Sequence, residues 1–238
     1  MKKFIILIPI YNDWKSVFQL LENIDLQIAK WDAEVLVLII NDGSTEERTV
    51  TELSFKNIKT VRVMNMKQNR GHARCNAAGL KYLTEKEDFD YVILMDGDGE
   101  DRPEELTSLF NKSKENPLKT VTANRIKRSE GSFFKLLYEC HKILTYVFTG
   151  KLIKFGNYSC LPKEDAARLV KEACIWSSFS GSVTKIISDR VSVPSIRGKR
   201  YFGPSQMSFF KLLVHSFSII AVFKGSVIVR SVLFLIFY

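Results

Sequence analysis

Tyr91-Val92-Ile93-Leu94-Met95-Asp96-Gly97-Asp98-Gly99-Glu100 is an apolar run that breaks, within one residue, into alternating carboxylates and glycines. So short a run with β-branched residues reads as a strand buried on both faces. The carboxylates then stand at its C-terminal end, on a turn whose glycines let a ligand approach the backbone. Asp96 and Asp98 offer the hard oxygen donors that suit magnesium or manganese, ions that such sites usually share with substrate phosphates, and Glu100 adds a third oxygen. An isolated acidic turn would be solvated surface, so its surroundings decide the reading.

Upstream, Phe4 to Ile10, Glu34 to Ile40 and Thr60 to Met64 are further short apolar runs. Between them lie segments of helical spacing: Val17, Leu20, Leu21 and Ile24 in one, Ala73, Ala77, Ala78, Leu80 and Leu83 in another. A third helix is predicted after Pro103, with Leu106, Leu109 and Phe110 on its inner face. This alternation predicts an α/β fold, a mainly parallel sheet flanked by helices. Ligands of open α/β sheets bind beyond the carboxyl ends of the strands. The first strand ends in Pro9-Ile10-Tyr11-Asn12-Asp13 and the second in Asn41-Asp42-Gly43-Ser44, so these clusters should meet the acidic turn in one cleft. There Pro9, Tyr11 and Asp13 would form one wall, with Tyr11 stacking on a base and Asp13 reaching a ribose, while Asp42 accepts a hydrogen bond from base or ribose.

Charge is segregated along the chain. The sequence of 238 residues, 46% hydrophobic, holds 35 Lys and Arg against 26 Asp and Glu, a formal net charge of +9. From Ser195 onward, Arg197, Lys199, Arg200, Lys211, Lys224 and Arg230 face no acidic residue, whereas acids crowd between Glu85 and Glu105. A carboxylate site in one place and a phosphate- or lipid-facing surface in another follow from that separation. With no nucleic-acid motif, charge alone does not make a nucleic-acid binder. Cys75, Cys140, Cys160 and Cys174 form no CxxC pair, and His72, His141 and His215 are equally scattered, which argues against a zinc or histidine-based site. The opening apolar run is too short for a signal peptide and lacks a cleavage site, so it reads as the first strand of a cytosolic chain.

The four clusters, Ile8 to Asp13, Asn41 to Ser44, Asn69-Arg70-Gly71 through Asn76, and Asp96 to Glu100, occur in the order and spacing of family 2 glycosyltransferases. Further on, Arg125 and Arg128, Gly156-Asn157-Tyr158-Ser159 and Arg200 to Gln206 resemble its polyprenyl-phosphate branch, which includes dolichol-phosphate mannosyltransferase. The resemblance implies a GT-A fold, a UDP- or GDP-linked sugar donor, a divalent metal (Mg2+ or Mn2+) and inversion at the anomeric carbon. It implies that Pro9, Tyr11, Asp13 and Asp42 hold the nucleoside, with Gly71, Asn76 and Gly97 also at the nucleotide sugar. Asp96 would contact the donor, and Asp98 and Glu100 would hold the metal. Arg125, Arg128 and Arg200 would surround phosphates, and Ser205 and Gln206 would belong to a closing loop. The chain departs from the family pattern at Asn41, Glu100 and Gln206, where Asp, Gln and Lys are usual.

The implied acceptor is a polyprenyl phosphate, which needs no general base because its oxygen is already ionised. The other enzymatic reading, transfer to a sugar hydroxyl of a surface polysaccharide, needs one. The sequence offers only Glu164-Asp165 for that role, equally readable as the first turn of a helix. A non-catalytic nucleotide-sugar or membrane-binding module is the reading from another class. We place a domain boundary at Gly203: residues 1–203 form the transferase domain, and 204–238 form amphipathic helices at the membrane interface or the start of a membrane region. The terminal run from Ser226 to Tyr238 contains Arg230 and is shorter than the roughly 20 residues of a spanning helix. The expected location is the cytoplasmic face of an anionic membrane, peripheral or anchored through this segment; the sequence allows a homo-oligomer without requiring one.

Overall fold

The computed structural model describes residues 1–46, 54–127, 142–203 and 209–237. Its centre is a seven-stranded sheet of order β3-β2-β1-β4-β6-β5-β7, built from β1 (Lys2–Ile10), β2 (Ala33–Asn41), β3 (Ile58–Asn65), β4 (Tyr91–Leu94), β5 (Thr120–Lys127), β6 (Phe155–Pro162) and β7 (Arg190–Ile196). β3, β2, β1 and β4 run parallel, β6 is antiparallel to both of its neighbours, and β5 and β7 are parallel to each other. The mainly parallel expectation holds, with β6 as the reversal.

The layering follows from side-chain alternation. Successive strand residues point to opposite faces, so Phe4, Ile6, Ile8 and Ile10 enter one core and Ile5 and Leu7 the other. Strand β2 divides in the same way, with Val35, Val37 and Ile39 on one side and Leu36, Leu38 and Ile40 on the other. The first core is closed by α1 (Trp14–Gln27) and α3 (Leu106–Glu115), with the Trp31 and Phe110 rings stacked at 4.1 Å. The second is closed by α2 (His72–Lys86), α5 (Lys163–Val170) and α6 (Phe179–Ile186). Residues 142–149 form a further helical stretch, α4. The aromatic-rich stretch from Phe133 to Phe148 predicts a helix; its described part is helical, and the remainder lies outside the described residues.

Two helices end the described chain, α7 (Phe209–Val222) and α8 (Lys224–Phe237). Ile219, Val222 and Phe223 are buried, and a β-carbon at Gly181 of α6 would lie 3.1 Å from Val222 Cγ2. The far end of α7 is therefore packed on the domain, across the boundary drawn at Gly203. Helix α8 buries no residue, and its axis turns 91° from that of the preceding helix. No single helix among the described residues is long and apolar enough to cross a membrane.

Candidate active site

The C-terminal ends of β1, β2 and β4 come together as expected, and backbone bonds fix their loops. The Asp42 amide donates to the Ile10 carbonyl at 2.9 Å, and the Met66 amide to the Asn41 carbonyl at 2.8 Å. Asn12 adopts a left-handed φ of 48°, and its side-chain carbonyl accepts from the Thr45 amide at 2.8 Å. This ties the β1 loop to the β2 loop. Tyr11 is left exposed beside it, whereas Pro9 is buried within β1.

Asp42 is tied to the loop that enters α2. It is 4% exposed, and its two carboxylate oxygens accept from the backbone amides of Arg70 and Gly71, each at 2.8 Å. The carboxylate thus anchors the loop entering α2. Gly43 makes this approach possible: its φ is +66°, and a β-carbon there would lie 2.8 Å from the backbone of Gln68 and Asn69. Gly71, at φ +88°, then opens α2 toward the cleft.

Around Asp96 the structure assembles residues that the sequence reading had left aside. Asp96 Oδ1 lies 3.2 Å from His72 Nε2 and accepts from Asn157 Nδ2 at 3.2 Å. Burial would raise the Asp96 pKa, but the His72 and Arg125 charges outweigh it and hold the carboxyl well below its usual range. Burial correspondingly opposes protonation of His72, and the charge and hydrogen bond of Asp96 prevail and raise it. Asn76 is fully buried, with its Nδ2 3.1 Å from His72 Nε2. It therefore orients the imidazole. Its buried Oδ1 has no partner in this orientation, and rotating the amide would offer that oxygen to a protonated Nε2. Asp101 lies behind this group, 3% exposed, with Oδ2 accepting from the Asp96 amide at 3.0 Å. Burial and the Asp96 charge push its pKa up to about 7, against the opposing pull of Arg125, whose Nη2 stands 3.5 Å from Asp101 Oδ1.

Asp98 and Glu100 form the acidic lip. Asp98 Oδ2 accepts from Arg200 Nη1 at 2.7 Å, and the Nη2 of the same guanidinium donates to Asp13 at 2.6 Å. Glu100 is paired with Arg197. The segment that carries both arginines is pinned to the turn by backbone bonds, Gly198 N to Glu100 O at 2.8 Å and Tyr201 N to Asp98 O at 2.9 Å. The Tyr201 ring covers Gly99, where a β-carbon would come within 2.7 Å of it. Asp13 occupies the N-cap position of α1 but makes no capping bond; its carboxylate is committed to Arg200 instead.

These donors fit a divalent ion. Burial, then the Asp96 and Glu100 charges, push the Asp98 pKa up to about 6, so the turn carries more negative charge than its surroundings readily accept. Arg197 and Arg200 offset part of it. No cluster of three or more His, Cys, Asp or Glu side chains is arranged to hold a metal among the described residues, so Asp98 and Glu100 would need substrate oxygens and water to complete a coordination shell. Arg200 Nε is buried without a partner, which leaves this arginine under-satisfied where it stands. Gly97 is buried, and a β-carbon there would lie 2.8 Å from Ile10 Cγ2 and 3.1 Å from Ile8 Cγ2. Arg128, Ser205 and Gln206 lie outside the described residues.

His72, Asp101 and Arg197 escaped the sequence reading, and Asn157 was quoted there without a role. The available signals were the position of His72 directly after Gly71 and that of Asp101 directly after the acidic turn. The Glu164-Asp165 pair lies elsewhere. Pro162 pairs with Tyr91, at the beginning of β4, which puts the pair roughly 16 Å of strand away from Asp96. Asp165 is buried and bonded to Thr120 and Arg168 at 2.7 and 3.0 Å.

The profile of glycosyl transferase family 2 matches residues 5–175. Two curated proteins, both undecaprenyl-phosphate 4-deoxy-4-formamido-L-arabinose transferases from Klebsiella pneumoniae strains, are 27% identical to the chain over 89% of its length. The chain spans 64% of the length of these relatives. Among solved structures, glucosyl-3-phosphoglycerate synthase from Mycobacterium tuberculosis, in complex with Mn2+, uridine-diphosphate-glucose and phosphoglyceric acid, superposes with a TM-score of 0.64 at 13% identity. That likeness covers 95% of this chain and 80% of the synthase. S. aureus TarS 1-349 gives a TM-score of 0.50 at 18% identity, over 80% of this chain and 58% of that one. These structural likenesses show a shared GT-A fold.

Proposed function

The chain belongs to glycosyl transferase family 2, and on that premise we propose that it transfers a sugar from a nucleoside diphosphate donor to a polyprenyl phosphate at a membrane surface. The observation that carries this reading is one acidic turn in which Asp98 pairs with Arg200, Glu100 with Arg197, and the adjoining Asp101 with Arg125. Carboxylates for a dication and guanidiniums for phosphate oxygens are what a reaction between two phosphate-bearing substrates requires.

The acceptor follows from proton chemistry. A phosphomonoester has its second pKa near 6, so at neutral pH it attacks the anomeric carbon without losing a proton first. A sugar hydroxyl needs a base. Glu164-Asp165 is at the wrong end of the sheet for that work, and His72, drawn toward its protonated form by Asp96, is poorly suited to accept a proton. The curated relatives, named as undecaprenyl-phosphate transferases, support the same acceptor class.

Asp98 and Glu100 would hold Mg2+ or Mn2+, whose chemistry is to neutralise the departing nucleoside diphosphate. Arg125 and Arg200 would steady phosphate charge, and the exposed Tyr11 is placed to stack on the base. The pair of His72 and Asn157 keeps Asp96 ionised and oriented toward the donor. Helix α8 exposes Ile228, Val229, Val232, Phe234 and Leu235 and carries Lys224 and Arg230 but no acid. An apolar helix with cationic flanks suits the interface of an anionic bilayer.

The test supplies purified protein with polyprenyl phosphate, Mn2+ or Mg2+ and a panel of radiolabelled UDP- and GDP-sugars, then extracts with butanol. Metal-dependent label in the lipid phase, absent with Asp98→Ala, is the expected result. Label that appears only in a water-soluble glycoside would replace the phosphate acceptor with a hydroxyl.

A further inference from the structure

Beside the cleft, on the face of the sheet that carries the second core, lies a small cationic pocket that the transfer reaction does not use. Thr122 and Asn124 alternate along β5 with Val121 and Ala123, which face the first core, so they face the other way. Together with Lys154, Phe155, Arg190 and Ser192 they line a cavity of about 130 Å³, and among the described residues no carboxylate lines it. On β6, Phe155 is two residues from Asn157, roughly 7 Å along the strand.

Arg190 is the centre of this pocket. Its Nη1 donates to the Ile187 carbonyl at 2.7 Å, and its guanidinium carbon stands 5.7 Å from the centre of the Phe155 ring. These contacts hold the group in place without neutralising it. Burial alone lowers its pKa, as expected of a half-buried cation that no acidic group compensates. Lys154 is exposed at the rim and adds a second positive charge. Hydroxyls from Thr122 and Ser192 and the amide of Asn124 supply neutral hydrogen-bonding groups around the two cations.

We propose that this pocket binds a phosphate group, as the free anion or as the phosphomonoester head of a lipid. Two cations match the charge of a phosphomonoester at neutral pH. The cavity has room for a tetrahedral oxyanion, whereas a nucleoside diphosphate would overfill it. Leu152, 54% exposed, also lines the pocket and gives an acyl chain an apolar surface on which to leave. Neither probe below needs catalysis, so the proposal stands or falls apart from the transfer reaction.

The experiment uses the full chain with two probes. Inorganic phosphate is titrated calorimetrically, and sedimentation is measured with phosphatidylcholine vesicles with and without phosphatidic acid. Arg190→Gln and Lys154→Gln are compared with the parent. Arg190 also bonds the end of α6, so its substitution could disturb folding; Lys154 is exposed and keeps the test valid, with circular dichroism as the check on both. The expected result is a loss of at least tenfold in affinity with each folded variant. Loss confined to inorganic phosphate assigns the site to the free anion, and loss confined to the phosphatidic acid increment assigns it to a lipid head. Folded variants that bind both probes as the parent does overturn the proposal.

Discussion

Asp98 stands in a field of its own sign. Its pKa is pushed up to about 6 by burial and by neighbouring carboxylates, and that of Asp101 to about 7 by burial and Asp96. Between about pH 4 and 7 the folded protein therefore holds protons that the unfolded chain has released, so metal-free stability should rise as pH falls through that window. His72, with its pKa raised, acts in the same direction, since its contribution is complete below its unfolded value and fades as pH rises through the folded one. Asp96, held low, loses its contribution only below about pH 4. Thermal melts of metal-free protein should show a midpoint a few degrees higher at pH 5.5 than at 7.5. Mn2+ should stabilise more at 7.5, because it needs the ionised Asp98. A metal-free midpoint that falls on acidification from 7.5 to 5.5 would contradict this account. At the same scale, Asp96 and Asp98 were legible in the sequence as candidates from their type, their spacing and their place at a strand end beside two other polar clusters. His72 was not, because it meets Asp96 only through the fold, and scattered histidines carry no local signal. The bonds from the Arg70 and Gly71 amides to Asp42 were hidden for a related reason: which donors reach a carboxylate is a tertiary fact.

Among the elements, the loop after β2 packs closely against the loop that leads from β3 into α2. Gly43 combines a φ of +66° with backbone atoms 2.8 Å from where a β-carbon would sit. A side chain there meets both the left-handed penalty, about 1–2 kcal/mol, and a backbone that cannot rotate aside. Gly43→Ala should cost about 2 kcal/mol or more by urea denaturation. It should also weaken donor binding, because Asp42 could no longer hold the Arg70 and Gly71 amides in register. Stability within a few tenths of the parent would mean that the loop yields easily. Strands β1, β2 and β4 were readable from their apolar runs because both faces are buried. Strand β5 carries no clear strand signal, since its Thr-Val-Thr-Ala-Asn-Arg stretch is polar enough to hide its register. Strand β7 contains Pro194, which argues against a strand except at a sheet edge, and the edge is where β7 lies.

At the scale of the whole molecule, α7 and α8 divide what the sequence presented as one apolar tail. Composition could not separate them, because both helices are apolar; burial of Ile219, Val222 and Phe223 against the exposed α8 does. Deleting residues 224–237 should leave the thermal midpoint close to that of the parent, since no side chain of α8 is buried. The same deletion should greatly reduce binding to anionic vesicles, and the binding that the full chain shows should weaken with salt. Full retention of vesicle binding would place the membrane contact elsewhere. A different constraint arises at β1, whose alternate side chains feed two separate cores. Inserting one residue into it would exchange the contents of both layers downstream of the insertion, and neither could repack independently of the other. Evolution can therefore lengthen this molecule at its loops and its tail but not at β1, and insertions among its relatives should collect at the strand ends, where specificity can change without rebuilding the interior.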